Sequence, residues 1–403
     1  MGLLRRFAPR NDSLSSYVRR RRTLTAMLIG IETTAASLES GGDTTYIREL
    51  LSGLARIDTT HRYRLIAIRP HPFYRQLPER FTFHRLSLPW SLLRFFTSLP
   101  LELRRHPVDV LHVQYILPVG VQFPSVVTIH DLHFEHYPQH YPPLDRWFLE
   151  TFVRRSAQRA DRIITVSDYS KRDIAARYGL PPEKVVVIPN GIRPMFKPES
   201  DPARLKQVRD KYGIVKPYLF SVGRTVDPRK NIRMLIDAYA SLPPALSDAH
   251  QLIIAGKKAG RQVQALEAET LARLREGRVI FTDFVAEEDM PALMAGATAL
   301  VWPSIFEGFG LPVLEAMACG TPVITSNVTS LPEVAGEAAL MINPYNKDEL
   351  TAALQQVLID ADLRQRLREL GLRRAASYSW DNSARQTLAV YEALHRTSPA
   401  SSL

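Results

Sequence analysis

The chain has 403 residues, 45% of them hydrophobic and 23% charged, which excludes a disordered or collagen-like chain and predicts two domains at about 100–200 residues each. Its one cysteine, Cys319, excludes an intrachain disulfide or a cysteine-built zinc cluster and points to a reducing cytoplasm. The net charge of +11 is concentrated in residues 1–215, where 33 Lys and Arg face 20 Asp and Glu. That favours an anionic partner for the first half (nucleic acid, a phosphorylated substrate or an acidic membrane), although 42 of the 52 basic residues are Arg, as a biased base composition would also give.

In chain order, Arg5, Arg6, Arg10 and Arg19 to Arg22 make residues 1–23 a flexible basic tail. The apolar run 24–31 that follows is shorter than a secretory core and is closed by Glu32, so it reads as a first strand. Further strands are expected at 64–69, 108–114, 125–129, 162–166 and 184–188. Between the first two, Tyr46, Ile47, Leu50, Leu51, Leu54 and Ile57 share one face of a helix over 44–57. Residues 190–215, with Pro194, Pro198 and Pro202 among several charges, read as a connecting hinge.

A second series of strands is expected at 218–222, 251–255, 278–282, 299–302, 322–325 and 339–342, with helices over 231–241 and 289–295 between them. Trp380, Leu388, Tyr391 and Leu394 give a last helix an apolar face. The alternation predicts an α/β protein of two doubly wound, Rossmann-like domains, over 24–200 and 201–378, with a final helix over 379–396. The charge-free stretches 113–129 and 316–332 are interrupted by proline and glycine and do not read as bilayer spans.

Residues 71–106 mix Phe73, Tyr74, Phe81, Phe83, Trp90, Phe95 and Phe96 with leucines and arginines. Such a segment can lie on an anionic membrane, or pack as a helix over 90–103 on the first sheet.

The segment EGFGLPVLEAMACG, residues 307–320, carries the most chemistry. Gly308 and Gly310 would let a ligand approach the backbone, and Pro312 suits the first turn of a helix. The amides of that turn favour a diphosphate or a sugar oxygen. Glu307 precedes the helix and Glu315 lies within it. This segment resembles the E-x7-E motif of the retaining family 4 glycosyltransferases (GT4), also called glycosyl transferases group 1, which have the GT-B fold of two domains facing a cleft.

The resemblance extends to Gly41 and Gly42, to TIHDL at 128–132, VSDYSKRDI at 166–174, VVVIPNGI at 185–192, SVGRTVDPRKN at 221–231 and SLPEVAG at 330–336. It implies that Arg224 and Lys230 neutralise a nucleotide diphosphate, that Glu315 accepts from ribose hydroxyls, and that Glu307 contacts the transferred sugar. His130 would touch that sugar near the scissile bond, and Gly41, Gly42, Gly308, Phe309, Gly310 and Leu311 would line the donor. The last helix would cross back to the first domain. His112, His133, His136 and His140 match no tetrahedral template, and no metal or other cofactor is expected.

The expectation is a cytoplasmic enzyme, with possible peripheral membrane contact, that moves a hexosyl group with retention from a nucleotide sugar to a glycan or lipid-linked acceptor in polysaccharide assembly. GDP-mannose is the favoured donor by family analogy, with base-reading residues expected at 282–288. The alternatives are a sugar-nucleotide-binding protein without turnover and a nucleic-acid-binding protein using the basic half. No recognised nucleic-acid module is present.

Overall fold

The computed structural model describes residues 26–397 apart from 39–40, 87–92, 224–226, 257–264, 266–267, 271–273 and 275–276. The basic tail, Arg224 and Trp90 therefore lie outside the described residues.

The β-branched runs form two wholly parallel sheets. The first, in the order β3-β2-β1-β4-β5-β6-β7, comprises β1 (Leu28–Glu32), β2 (Arg62–Ala67), β3 (Phe81–Arg85), β4 (Val110–Gln114), β5 (Ser125–Thr128), β6 (Arg162–Thr165) and β7 (Val185–Val187). The second, β10-β9-β8-β11-β12-β13, comprises β8 (Tyr218–Val222), β9 (Gln251–Ala255), β10 (Val279–Asp283), β11 (Ala299–Trp302), β12 (Val323–Ser326) and β13 (Leu340–Ile342). Central strands such as β4 and β9 are buried along their whole length, because helices cover both faces of each sheet. Ile29 of β1 is in register with Tyr63 on one side and Val110 on the other. The strand order thus reverses at the β1/β4 pair, as it does at β8/β11, and the crevice beyond such a switch point is where ligands collect in open α/β sheets.

Two local expectations need correction. The segment over 71–106 contains the edge strand β3, whose burial is mixed, followed by a short 3-10 turn at Leu93–Phe95 and a helix at Ser98–Arg105. A single helix over 90–103 is excluded by Pro100, which fits only the first turn of a helix. The segment 190–215 is also not all connector. Asp201 caps a helix at Pro202–Lys211 by accepting from the Ala203 amide at 2.9 Å, and Val208 of that helix is buried with Phe196 and Ile214 in the second lobe's core.

The last helix, Trp380–Thr397, packs on the first lobe. Trp380, Ala384, Tyr391 and Leu394 join Tyr46, Ile47, Leu50, Leu51 and Leu54 of helix Gly42–Ile57 in one buried cluster. Burying an aromatic the size of Trp380 is worth on the order of 3 kcal/mol or more, enough to hold the helix there. Tyr391 Oη also meets His112 Nδ1 at 2.5 Å, and His112 Nε2 meets Thr128 Oγ1 at 2.7 Å. Burial, with the neighbouring His130 charge, pushes the His112 imidazole down to about 3, so it is neutral. Between the lobes lies a small apolar plug of Val166 from the first lobe with Phe309, Leu314 and Val334 from the second.

Candidate active site

The second lobe brings a cation and a carboxylate together at the carboxyl ends of β8 and β11. Lys230 Nζ lies 2.6 Å from Glu307 Oε1 and 4.5 Å from the centre of the Trp302 ring. Both side chains are nearly enclosed, 13% and 12% exposed, so each charge depends on the other for compensation. The loop carrying Glu307 is pinned from behind. Thr329 Oγ1 accepts from the Glu307 amide at 3.2 Å, and Ser330 Oγ donates to the carbonyls of Glu307 and Phe309 at 2.9 and 3.0 Å. Gly310 then takes φ +104°, a conformation that favours glycine, and opens helix Leu311–Ala318. In that first turn Pro312 has no N–H and the Val313 amide donates to the Gly310 carbonyl at 3.0 Å, so it is the positive end of the helix, not a row of free amides, that faces the loop.

The first lobe answers with His130, just past β5. Its Nε2 lies 2.9 Å from Gln114 Oε1 at the end of β4, and a carbonyl oxygen can only accept, so this nitrogen carries the proton. Tyr46 packs edge-on against the ring at 4.6 Å, and Tyr115 at 5.6 Å. Tyr46 Oη meets Thr128 Oγ1 at 2.9 Å, which extends the hydrogen-bonded chain from Tyr391 and His112 up to the ring beside His130.

The lobes touch at the two motifs. A Cβ on Gly308 would stand 2.7 Å from the His130 carbonyl oxygen and 2.9 Å from Asp131 Oδ2, so only glycine lets the loop come this close. Ser170 Oγ donates to the same His130 carbonyl at 3.0 Å and reaches the Gly308 carbonyl at 3.5 Å. Asp131 is pushed up by burial, against the pull of Arg229, of the His133 amide at 2.9 Å on Oδ1 and of His130. Phe306 lies under His133, His136, Tyr137 and Tyr169 with ring centres 5.0–6.0 Å away.

Glu315 sits deeper. Arg193 Nη2 lies 3.2 Å from its Oε1, and the same guanidinium pairs with Glu287. Burial raises the Glu315 carboxyl above its ordinary range, and Arg193 works against that rise. The Phe309 side chain is buried in the apolar plug, and Leu311 packs half-buried against it. Gly41, at φ +139°, caps the helix that Gly42 begins.

Four side chains at this site were not singled out from the sequence. Arg229, next to Lys230, is gripped by Asp227, with Nε 3.0 Å from both oxygens and Nη2 2.6 Å from Oδ2. Burial opposes the Arg229 charge, but those hydrogen bonds and the Asp227, Glu307 and Asp131 charges outweigh it and keep the guanidinium ionised. Asp43, directly after the glycine pair, places Oδ1 3.7 Å from His130 Nε2. Gln114 and Arg193 complete the set. The available signal was position alone, since each adjoins a motif or ends a strand. Among the described residues no group of three or more His, Cys, Asp or Glu is placed to hold a metal ion.

Two doubly wound lobes whose glycine loops, histidine and paired glutamate meet in the crevice between them define a glycosyltransferase of the GT-B type. The chain belongs to the glycosyl transferases group 1 and glycosyltransferase family 4: the model of the first matches residues 206–374 and that of the second residues 40–195. It is 37% identical to the O-antigen chain mannosyltransferase B of Escherichia coli over 67% of this chain and 70% of that one. It is 31% identical to an MMP alpha-(1->4)-mannosyltransferase of Mycolicibacterium hassiacum over 72% of this chain and 71% of that one. Among solved structures, a sucrose-phosphate synthase from Thermosynechococcus elongatus superposes with a TM-score of 0.75 at 23% identity over 92% of this chain and 100% of that one. The Anabaena HepE structure with UDP and glucose does so at 0.71 and 19% over 91% and 100%. These two likenesses speak to the fold.

Proposed function

We propose that this glycosyltransferase moves a mannosyl group, with retention at the anomeric carbon, from GDP-mannose to a glycan or lipid-linked acceptor in the assembly of a cell-surface polysaccharide. The observation that carries the reading is the meeting of Lys230 and Glu307 on one lobe with His130 on the other, across the Gly308 contact. The names of the relatives favour mannose as the sugar.

In this reading the donor diphosphate lies over Gly310 and the start of helix Leu311–Ala318, where the helix's positive end and Lys230 stabilise the charge that builds as the glycosidic bond breaks, a role that the family resemblance also gives Arg224. Glu307 takes hydroxyls of the departing sugar, and His130 lies beside its anomeric carbon. Glu315 accepts from the ribose through Oε2, while Arg193 holds Oε1. A retaining glycosidase sets two carboxylates about 5–5.5 Å apart around the anomeric carbon. Here one glutamate is bound to a lysine, so attack and departure on the same face, with the leaving phosphate oxygen taking the acceptor's proton, fits better than a covalent sugar ester on Glu307. Cations and the positive end of the helix supply the charge stabilisation, so the reaction needs no metal.

The setting is the cytoplasm, against the inner face of a membrane. Leu93, Leu101 and Trp147 are exposed on the basic lobe, as are Arg104 and Arg146, the composition of a surface for anionic lipid. No helix among the described residues is long and apolar enough to cross a membrane.

A donor screen tests the reading. The purified chain, offered GDP-mannose, UDP-glucose and UDP-galactose with mannosylated acceptors, should release GDP and form an α-linked product from GDP-mannose. Indifference to all three donors, with the fold intact, would overturn it, and sedimentation with anionic vesicles tests the membrane contact separately.

A further inference from the structure

Two oxygens of the first lobe face one nitrogen of His130. Gln114 Oε1, at 2.9 Å, makes the hydrogen bond, whereas Asp43 Oδ1, at 3.7 Å, is beyond that range. The imidazole proton is therefore committed to Gln114, and Asp43 keeps its lone pairs. The Asp43 side chain is 51% exposed while His130 and Gln114 are buried, so the carboxylate borders the open side of the histidine.

Helix electrostatics alone do not account for this carboxylate. Negative charge is favoured anywhere in the first turn of helix Gly42–Ile57. That explains an acid near the helix start, but not one whose oxygen faces the histidine of the cleft. The surrounding backbone is also shaped around His130. Tyr115 holds φ +58°, a left-handed conformation that a tyrosine adopts only at a cost, and its ring lies edge-on to the imidazole. The Gln114 amide nitrogen is buried without a hydrogen-bond partner among the described residues, so β4 ends in a geometry that packing by itself does not reward.

The chemistry of the ligand follows from charge. Asp43, a carboxylate at the edge of the histidine, repels a diphosphate. The hydroxyls of the transferred sugar are assigned to Glu307 on the opposite lobe. What remains for a half-exposed carboxylate beside His130 is a hydroxyl of the second substrate.

Resting on the function proposed above, we propose that Asp43 is an acceptor-binding residue, taking a hydrogen bond from a sugar hydroxyl of the acceptor glycan and holding the attacking oxygen beside His130. In the transfer step the bond from the anomeric carbon to the phosphate oxygen breaks, the bond to the acceptor oxygen forms, and the acceptor's proton passes to the leaving phosphate oxygen. Asp43 gains and loses no proton; it orients the incoming oxygen.

The test measures three rates or affinities on the full chain and on Asp43→Asn and Asp43→Glu. These are GDP affinity by calorimetry, GDP-mannose hydrolysis to free mannose, and transfer to an octyl α-mannoside. Asp43→Asn should lower acceptor kcat/KM by roughly 10- to 100-fold, the range for a lost hydrogen bond to a charged group, and leave hydrolysis and GDP affinity within about twofold. Asp43→Glu should recover part of the loss. Transfer that is unchanged in Asp43→Asn overturns the proposal and leaves a helix-start charge only. Parallel loss of hydrolysis and transfer also overturns it, because Asp43 would then act through His130 on the donor. A wild-type chain that neither binds GDP nor hydrolyses the donor instead refutes the proposed function, so the two failures are distinguishable.

Discussion

Glu333 of the second lobe caps a helix of the first at Asp168. Its Oε1 accepts from the Asp168 amide at 2.8 Å and its Oε2 from the Tyr169 amide at 3.2 Å, across 165 positions of sequence. The carboxylate thus serves the positive end of helix Asp168–Tyr178, whose Ser170 holds the His130 carbonyl. Arg374 fixes the second-lobe side of this clasp by donating to the Glu333 and Val334 carbonyls at 2.5 and 2.9 Å.

Removing the clasp by Glu333→Ala should cost about 1 kcal/mol of stability, the usual value of a helix cap. It should also favour an open arrangement of the lobes. GDP affinity is expected to hold while kcat falls several-fold, and small-angle scattering should report a larger radius of gyration. An unchanged radius and kcat would mean that the cap is local.

Gly308→Ala tests the contact between the motifs. The added methyl would lie 2.7 Å from the His130 carbonyl oxygen, so the loop or the histidine must move. Displacements of about 1 Å at a reacting centre cost on the order of 100-fold in rate. The expected result is a loss of that size in kcat, with nucleotide binding, which the proposed function assigns to the second lobe, little changed by calorimetry.

The Lys230 and Glu307 pair separates binding from chemistry. On the proposed function, Lys230→Ala removes a charge from the diphosphate site and leaves Glu307 without its 2.6 Å partner, so GDP affinity should fall roughly 10- to 100-fold. Glu307→Gln keeps the shape and should lower kcat by roughly 100- to 1,000-fold, with a smaller effect on GDP affinity. Steady-state kinetics beside calorimetry read both.

His112 makes acid stability predictable in sign. Its folded value of about 3 lies below the ordinary 6.5 because the site is buried, and His133 is pushed down to about 3 mainly by burial, with Arg229 and His140 adding to it. Below pH 6.5 the unfolded chain binds protons that the folded chain refuses, so stability present above 6.5 is lost as pH falls toward 3. Asp131 and Glu315, both raised, act in the opposite sense at the acid end. Urea unfolding between pH 7.5 and 5 should show a shallower pH slope in His112→Gln than in the wild type, by up to about 1.4 kcal/mol per pH unit.

The local signals in this chain were strong where one residue type does one job. β-branched runs marked every strand except β3, whose FTFHR pattern has mixed burial at a sheet edge and no continuous apolar run. Gly308, Gly310 and Pro312 were readable because they mark a glycine-opened helix behind a strand, and Glu307 and Glu315 were readable only through their resemblance to the family's E-x7-E motif. The pairing of Arg193 with Glu315 and the grip of Asp227 on Arg229 were not readable, since any of many arginines satisfies the same composition.

The sequence by itself determined the two parallel sheets, the glycine loops and the identity of the motif-borne groups, because periodicity and backbone conformation act over a few neighbouring residues. Only the tertiary structure decided that Asp43 faces His130, that Glu333 caps the opposite lobe and that Tyr391 meets His112. Those meetings join segments far apart in the chain, and the strand order and the packing of the lobes, not local preference, set which side chains arrive at the same point.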